Sequence, residues 1–270
     1  MDIQLSFITL SFNSEAFLAK CFDSVMSKCQ QEGITFEIIV IDNGSKDSSL
    51  NIIRTYQKTY PDIFKTIFLT ENMGTTYTRN LGLKKAEGRY ICIIDSDTEM
   101  AEGSLLGVMQ TLENSEELGI IAPQLVLPDG SIQNSVKKFP TLWHKLVKLP
   151  KAIGKITISD NDFYKDFPFQ DETIVDSAIS ACWFFQRVLV DDIGYFDEKI
   201  FYAPEDVDYS LRLYKAGKKI LYYPKLKILH HTQQISHNKP FSKLSISHLL
   251  GLLYYYRKHG GWISTRRIYR

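Results

Sequence analysis

Apolar and polar positions along the first hundred residues switch between two rhythms. Residues 89–94 form an apolar run without polar alternation, 36–41 (FEIIVI) is a second buried run, and 3–10 (IQLSFITL) and 63–69 are strand-like. Such runs read as strands buried on both faces, the kind found in a parallel sheet. Between them the apolar spacing turns helical: Phe17, Leu18, Cys21, Phe22 and Val25 after the candidate cap Ser14, then Leu50, Ile53 and Tyr56 from near Ser48. A third helix is expected from Thr75 to Ala86, ended by Gly88. Strands alternating with helices of about three turns make right-handed βαβ units. The expected fold is therefore α/β, with a Rossmann-like, mostly parallel central sheet flanked by helices. Ligands of such sheets sit beyond the carboxyl ends of the strands. Here those ends carry Ser11, Phe12 and Asn13, then Asp42 and Asn43, then Asp95, Ser96 and Asp97.

Residues 105–112 read as a helix and 120–127 as a strand before the turn at Pro128, Asp129 and Gly130. Residues 140–173 lack periodicity and are expected to form a long loop over the site. Residues 174–185 return to strand character, and a helix runs from Asp206 to Ala216, where Gly217 stops it. Short strands at 219–223 and 227–229, around Pro224, lead to His230 and His231. The amphipathic stretch 241–258 carries Leu244, Leu249, Leu253 and Tyr256, and runs into a basic tail.

Composition narrows the class. With 13% aromatic residues and no low-complexity segment, the chain is globular rather than disordered. Its four cysteines have no CxxC spacing, which points to a reduced chain without a zinc site. No apolar stretch is long enough to span a bilayer and no signal-peptide pattern opens the chain, so a cytoplasmic location is expected. The net charge of +1 hides a partition. Residues 1–208 hold all 31 acids against 19 Lys and Arg, whereas 209–270 hold 13 Lys and Arg and no acid. Such a block suits an anionic partner, either a membrane surface or nucleic acid. No nucleic-acid-binding module is recognisable, so no nucleic-acid partner is expected.

Asp95 and Asp97 are two apart on an extended backbone, so both carboxylates point the same way. Convergent carboxylates at a buried strand end suit a hard divalent cation and, through it, a phosphate. The alternative is a solvated turn with Ser96 or Asp97 capping a helix. Asp206 likewise reads as a general base at a helix start, or as a capping acid beside an ordinary Asp208–Arg212 pair at i,i+4. His230 and His231 suit a metal-proximal place or a plain strand end. Trp183 could stack on an acceptor sugar or fill the core. The segment of Tyr254, Tyr255, Tyr256, Arg257, Lys258 and Trp262 fits a peripheral contact with the anionic inner face of a membrane, or a helix packed on the domain.

Five stretches together resemble the family 2 glycosyltransferases: ITLSFNSEAFL, FEIIVIDNGSKDSS, ENMGTTYTRNLGLKKAEGRYICIIDSDTEM, GYFDEKIFYAPEDVDYSLRLYKAGKKILYYP and KILHH. They span residues 3–231, and the second half is most similar to rhamnosyltransferase-type enzymes of cell-surface polysaccharide assembly. The resemblance implies a GT-A fold over residues 1–240, with a nucleotide-binding half at 1–100 and an acceptor-binding half at 101–240. A basic amphipathic helix and tail at 241–270 would follow.

By the same likeness Ser11, Phe12 and Asn13 meet the nucleotide, and Asp42 accepts from a pyrimidine N3–H. Arg79 approaches the nucleotide, and Asp95 and Ser96 hold ribose. Asp97, with Asp95 and His230, holds Mn2+ or Mg2+. Asp206 is the implied base, while Glu205 and Trp183 lie on the acceptor side. The implied partners are a UDP- or dTDP-sugar donor and a glycan or lipid-linked glycan acceptor, with inversion at the anomeric carbon. Two departures stand out: Leu10, Ser11, Phe12 and Asn13 replace the frequent Pro-x-Tyr-Asn, and Thr232 and two glutamines follow the histidines.

A dinucleotide-dependent oxidoreductase would need a GxGxxG and a nucleotidyltransferase a basic, glycine-rich loop after the first strand. The SFNSE segment offers neither. A non-catalytic sugar-nucleotide-binding or partner-recruiting module is the competing possibility.

Overall fold

The computed structural model describes residues 2–141, 164, 166–232, 243–260, 262 and 269. Its first half alternates as the periodicity predicts: β1 (Leu5–Ser11), α1 (Leu18–Glu32), β2 (Phe36–Asp42), α2 (Ser49–Thr59), β3 (Phe64–Phe68), α3 (Thr75–Lys85) and β4 (Tyr90–Asp95). Strands β3, β2, β1 and β4 lie side by side and parallel. Their lack of alternation has a direct cause. Phe7, Val40, Cys92 and Ile94 pack with Phe22, Val25 and Ile53 of α1 and α2, whereas Ile8, Ile39, Ile41 and Ile93 pack with Leu83 of α3. Both sets are buried, so both faces take apolar residues, and buried polar side chains among them are paired, as the Ser6 hydroxyl is with Glu37 Oε1 at 2.6 Å.

The second half mixes directions. It runs β5 (Thr98–Glu102), α4 (Leu105–Glu113), β6 (Leu118–Val126), β7 (Val136–Lys137), β8 (Thr173–Val175), β9 (Ser177–Ala178), β10 (Cys182–Gln186), α5 (Leu189–Ile193), α6 (Glu205–Lys215), β11 (Lys219–His230) and α7 (Lys243–His259). Past β4 the sheet continues β10, β6, β11 and β5. Strand β10 is antiparallel to both neighbours, β11 is parallel to β6, and β5 closes the edge antiparallel to β11.

Several local expectations are corrected. The 174–185 strand is three pieces, because β8, β9 and β10 pair with β11, β7 and β4 respectively. The two short strands at 219–229 are one, with a register shift between Tyr223 and Lys227, where Pro224 has no N–H to contribute. Ser14 does not cap α1 through its side chain. Its carbonyl accepts the N–H groups of Phe17 and Leu18, and its hydroxyl lies 2.8 Å from that of Ser96. No helix follows Asp97 directly: β5 does, and it sets His230 opposite Thr98. Most of the loop expected at 140–173 lies outside the described residues, as does the side chain of Leu244.

Helix α7 packs on α6. Tyr255 and Tyr256 are buried with Val207, Leu211 and Phe139. Gly251 allows the closest approach, since a Cβ there would lie 2.2 Å from the Ala203 carbonyl oxygen. Among the described residues no helix is long and apolar enough to cross a membrane.

Candidate active site

Beyond the carboxyl ends of β1, β2 and β4 lies a cleft of about 340 Å³. Leu10, Phe12, Asn43, Asp95, Ser96 and Asp97 line it from the strand ends, Arg79 from α3, and Phe201, Tyr202, Ala203, Glu205 and Asp206 from the opposite wall. That wall is held by a close backbone contact. Thr75 N–H donates to the Phe201 carbonyl at 2.7 Å. Gly74, at φ 87°, is the only kind of residue that fits beneath it, because a Cβ would lie 2.3 Å from that same oxygen.

The turn after β4 gathers Asp95, Asp97 and His230, whose ligand atoms all lie within 4.8 Å of one another. His231 N–H donates to the Asp97 carbonyl at 2.9 Å, fixing the end of β11 against the turn. His230 Nε2 stands 3.6 Å from Asp97 Oδ1, and Nδ1 contacts Gln133 Oε1 at 2.7 Å. Gln133 Oε1 thus accepts a hydrogen bond from Nδ1–H and leaves Nε2 turned toward the carboxylates. Burial disfavours a charged His230, but Asp97 and Asp95 outweigh it and raise its pKa. Asp95 is raised by desolvation, with the Asp97 charge adding and Arg79 opposing. Two carboxylate oxygens and one imidazole nitrogen, repelling one another when unprotonated, form a donor set suited to Mn2+ or a similar divalent ion.

Arg79 is the other centre of charge. Its guanidinium is 3% exposed and donates to Asp95 Oδ1 at 2.9 Å, Glu205 Oε1 at 3.1 Å and Ser180 Oγ at 2.7 Å. One cation faces two carboxylates, so ionisation is least favourable for Glu205, the more deeply buried of the two. Burial and then the neighbouring Asp206 charge push Glu205 up to about 8, against the pull of Arg79. Asp206 sits at the start of α6, half-buried on the cleft wall, and its Oδ1 accepts from Val207 N–H at 2.8 Å.

Not every expected residue reaches the cleft. Asp42 is fully buried and its carboxylate is occupied by the Ser11 hydroxyl at 3.3 Å and the N–H groups of Gly44 and Ser45 at 3.2 and 3.0 Å. It builds the loop, and the residue that lines the cleft there is Asn43. Ser11 is committed to Asp42, and Asn13 caps the N–H of Lys46 at 2.8 Å on the outer side. Trp183 is also corrected. It is 0% exposed in β10, packed on Phe196 and Tyr209, and lies outside the cleft lining. Period-2 alternation along β10 carries the signal, since Trp183 faces one buried layer and Phe184 the other. Ser180 and Phe201 were not singled out from sequence. Both lie in irregular segments whose position depends on contacts far along the chain.

Asp208 forms the expected pair with Arg212 at 3.0 Å, and α7 adds Lys258 and His259, each 2.8 Å from Asp208 Oδ1. Burial opposes its ionisation, but His259, Lys258 and Arg212 hold it down to about 2. A carboxylate depressed in the folded state contributes stability above its unfolded pKa of about 3.9 and loses it as pH falls toward the folded value. Asp208→Asn is therefore expected to cost about 2 kcal/mol at neutral pH, and the deficit should vanish on acidification toward about pH 2. Denaturant midpoints across that range check it, and an unchanged neutral midpoint would show that the network contributes nothing.

Known proteins supply the remaining observation. Residues 6–194 match the model of glycosyl transferase family 2. The uncharacterized glycosyltransferase YfnE of Bacillus subtilis (strain 168) is 29% identical over 245 residues, 80% of this chain and 61% of that protein. The N-acetylglucosaminyl-diphospho-decaprenol L-rhamnosyltransferase of Mycobacterium tuberculosis (strain ATCC 25618 / H37Rv) is 25% identical over 176 residues, 64% of this chain and 57% of that one. This chain thus spans about three fifths of those curated relatives. Among solved structures, GalNAc-T7 with UDP, GalNAc and Mn2+ superposes with a TM-score of 0.70 at 15% identity, covering 94% of this chain and 48% of that one. S. aureus TarS 1–349 in complex with UDP-GlcNAc gives 0.56 at 20% identity, covering 87% and 60%. At such identities the structures speak for the fold, which is GT-A. The family model covers well over half of the chain, and by it the chain belongs to glycosyl transferase family 2.

Proposed function

We propose that the protein is a metal-dependent, inverting glycosyltransferase. It moves a sugar from a UDP- or dTDP-sugar to a hydroxyl of a glycan or lipid-linked glycan in cell-surface polymer synthesis. The observation that carries this is the pairing, in one cleft, of the Asp95, Asp97 and His230 cluster with Asp206 on the other wall. The nucleotides held by the neighbours, UDP, UDP-GlcNAc and GDP-Man, agree with a nucleotide-sugar donor.

Transfer breaks the bond between the anomeric carbon and the β-phosphate oxygen, whose electron pair stays on the diphosphate. The acceptor oxygen forms the new bond on the opposite face and loses its proton. Asp206 takes that proton, since a carboxylate within hydrogen-bond reach makes a hydroxyl a competent nucleophile. A divalent ion held by Asp95, Asp97 and His230 would neutralise the charge growing on the leaving diphosphate. Phe12 offers a half-exposed ring beside Asn43 for the base. Arg79 keeps Asp95 and Glu205 in place and electrostatically quiet.

Asp97→Ala is expected to weaken Mn2+-dependent binding of UDP or dTDP by about tenfold or more, while binding without metal stays as in the parent. Calorimetry with and without Mn2+ reads this directly. Unchanged affinity in both would remove Asp97 from the metal site. Sugar nucleotides that raise the melting temperature identify the donor, and the same compounds bound without turnover would favour the non-catalytic module.

A further inference from the structure

The inner face of α7 is fastened to the wall that carries Asp206. Tyr254 Oη and Lys258 Nζ reach Asp197 Oδ2 at 2.9 and 2.7 Å, and Lys258 and His259 bind Asp208. Gly251 lies against Ala203, itself part of the cleft wall. Among the described residues the outer-face leucines have no such partners. Leu249, Leu250 and Leu253 are 58%, 60% and 41% exposed. At 100° per residue they and Arg257 share an arc about 100° wide. Trp262, 44% exposed and tilted on Tyr256 with ring centroids 5.9 Å apart, extends the apolar surface past the end of the helix. Charge says what covers it. From Lys239 onward the chain holds seven Lys and Arg, of which Lys258 is paired inward, and no Asp or Glu.

We infer that the outer face of α7 is a docking surface for an anionic lipid bilayer, with Leu249, Leu250 and Leu253 entering the headgroup boundary and Arg257 on the same arc meeting the lipid charge. An acidic protein surface would satisfy the charge but would not need three adjacent leucines and a tryptophan. A purely apolar partner would not need the block of cations. Because the same helix clamps residues 197–208, docking sets the cleft wall one helix diameter from the lipid, about 10 Å. A lipid-linked acceptor would present its sugar there. This placement of the acceptor rests on the proposed transferase activity, whereas the docking itself does not.

The test is co-sedimentation of the full chain with vesicles of phosphatidylcholine alone or with phosphatidylglycerol added. The protein should pellet with the anionic vesicles, stay in solution with phosphatidylcholine, and be released by salt. The Leu249→Ser, Leu250→Ser, Leu253→Ser triple variant should lose about tenfold or more in vesicle affinity, and Arg257→Glu should weaken binding to anionic vesicles. Melting temperature and donor hydrolysis in solution should be unchanged in both. Parent protein left in solution with anionic vesicles would overturn the inference, as would full binding by the triple variant. A concentration-dependent dimer in the ultracentrifuge that the triple variant abolishes would overturn it too, by assigning the face to a second copy. Hydrolysis lost in the parent while vesicle binding persists would count against the transferase and leave the docking surface standing.

Discussion

Asp206→Asn is expected to lower glycosyl transfer by about 10³-fold, the scale of a lost general base, while nucleotide binding stays near that of the parent. The separation follows from position. Asp206 is on the wall across from the cluster of Asp95, Asp97 and His230 and makes its hydrogen bond locally, to Val207 N–H. Asparagine preserves that acceptor and the volume, so α6 should keep its start and only the proton-accepting ability is removed. Steady-state kinetics with titration calorimetry separate the two effects. Turnover within about tenfold of the parent would pass the role to another group on that wall and leave Asp206 as a cap.

Arg79→Met is expected to destabilise the protein by about 3 kcal/mol or more at neutral pH and to abolish activity with it. Removing one partner of a buried ion pair leaves the others uncompensated, which is the costly half of such a change. Here one guanidinium serves Asp95 and Glu205 together. Glu205 is raised to about 8, so the folded state holds a proton that the unfolded state has released. Stability therefore falls as pH rises through the window between the unfolded value, about 4.3, and about 8. Without Arg79 the fall should continue to higher pH, because the cation that favours ionised Glu205 is gone. Urea midpoints from pH 5 to about 8 check both statements, and a variant within about 1 kcal/mol of the parent at the upper end would refute the role assigned to Arg79.

Legibility from sequence tracked how local the cause was. The βαβ half could be read because its signal repeats within a few residues: runs such as 36–41 have no polar alternation since both faces of β2 are covered. The strand ends, and with them Asp95, Asp97 and Phe12, followed from that rule alone. Asp206 and Arg79 needed the family resemblance, because an acid at a helix start or an arginine in a helix has ordinary explanations. Asp42 and Asn43 mark the limit of motif reasoning. Adjacent residues at a strand end point in opposite directions, and one position separates a loop-building carboxylate from a residue lining the cleft. Trp183 shows the same thing in β10, where an aromatic that could serve a sugar is spent on the core.

What the sequence determined by itself was the parallel half-sheet, the chemistry waiting at its carboxyl edge, and the charge partition that singles out the last quarter of the chain. Each follows from patterns a few residues long or from simple counts. Only the tertiary structure decided that His230 meets Asp97, that Arg79 spans Asp95 and Glu205 and that α7 grips the helix of Asp206. These partners are separated by 133, 126 and about 50 positions, as His230 from Asp97, Glu205 from Arg79 and Lys258 from Asp208 show. Contacts at such separations leave no periodic trace. They arise from sheet order, because β5 and β11 must pair before the turn at Asp97 can face a histidine, and because an antiparallel β10 must enter beside β4 before Ser180 can reach Arg79.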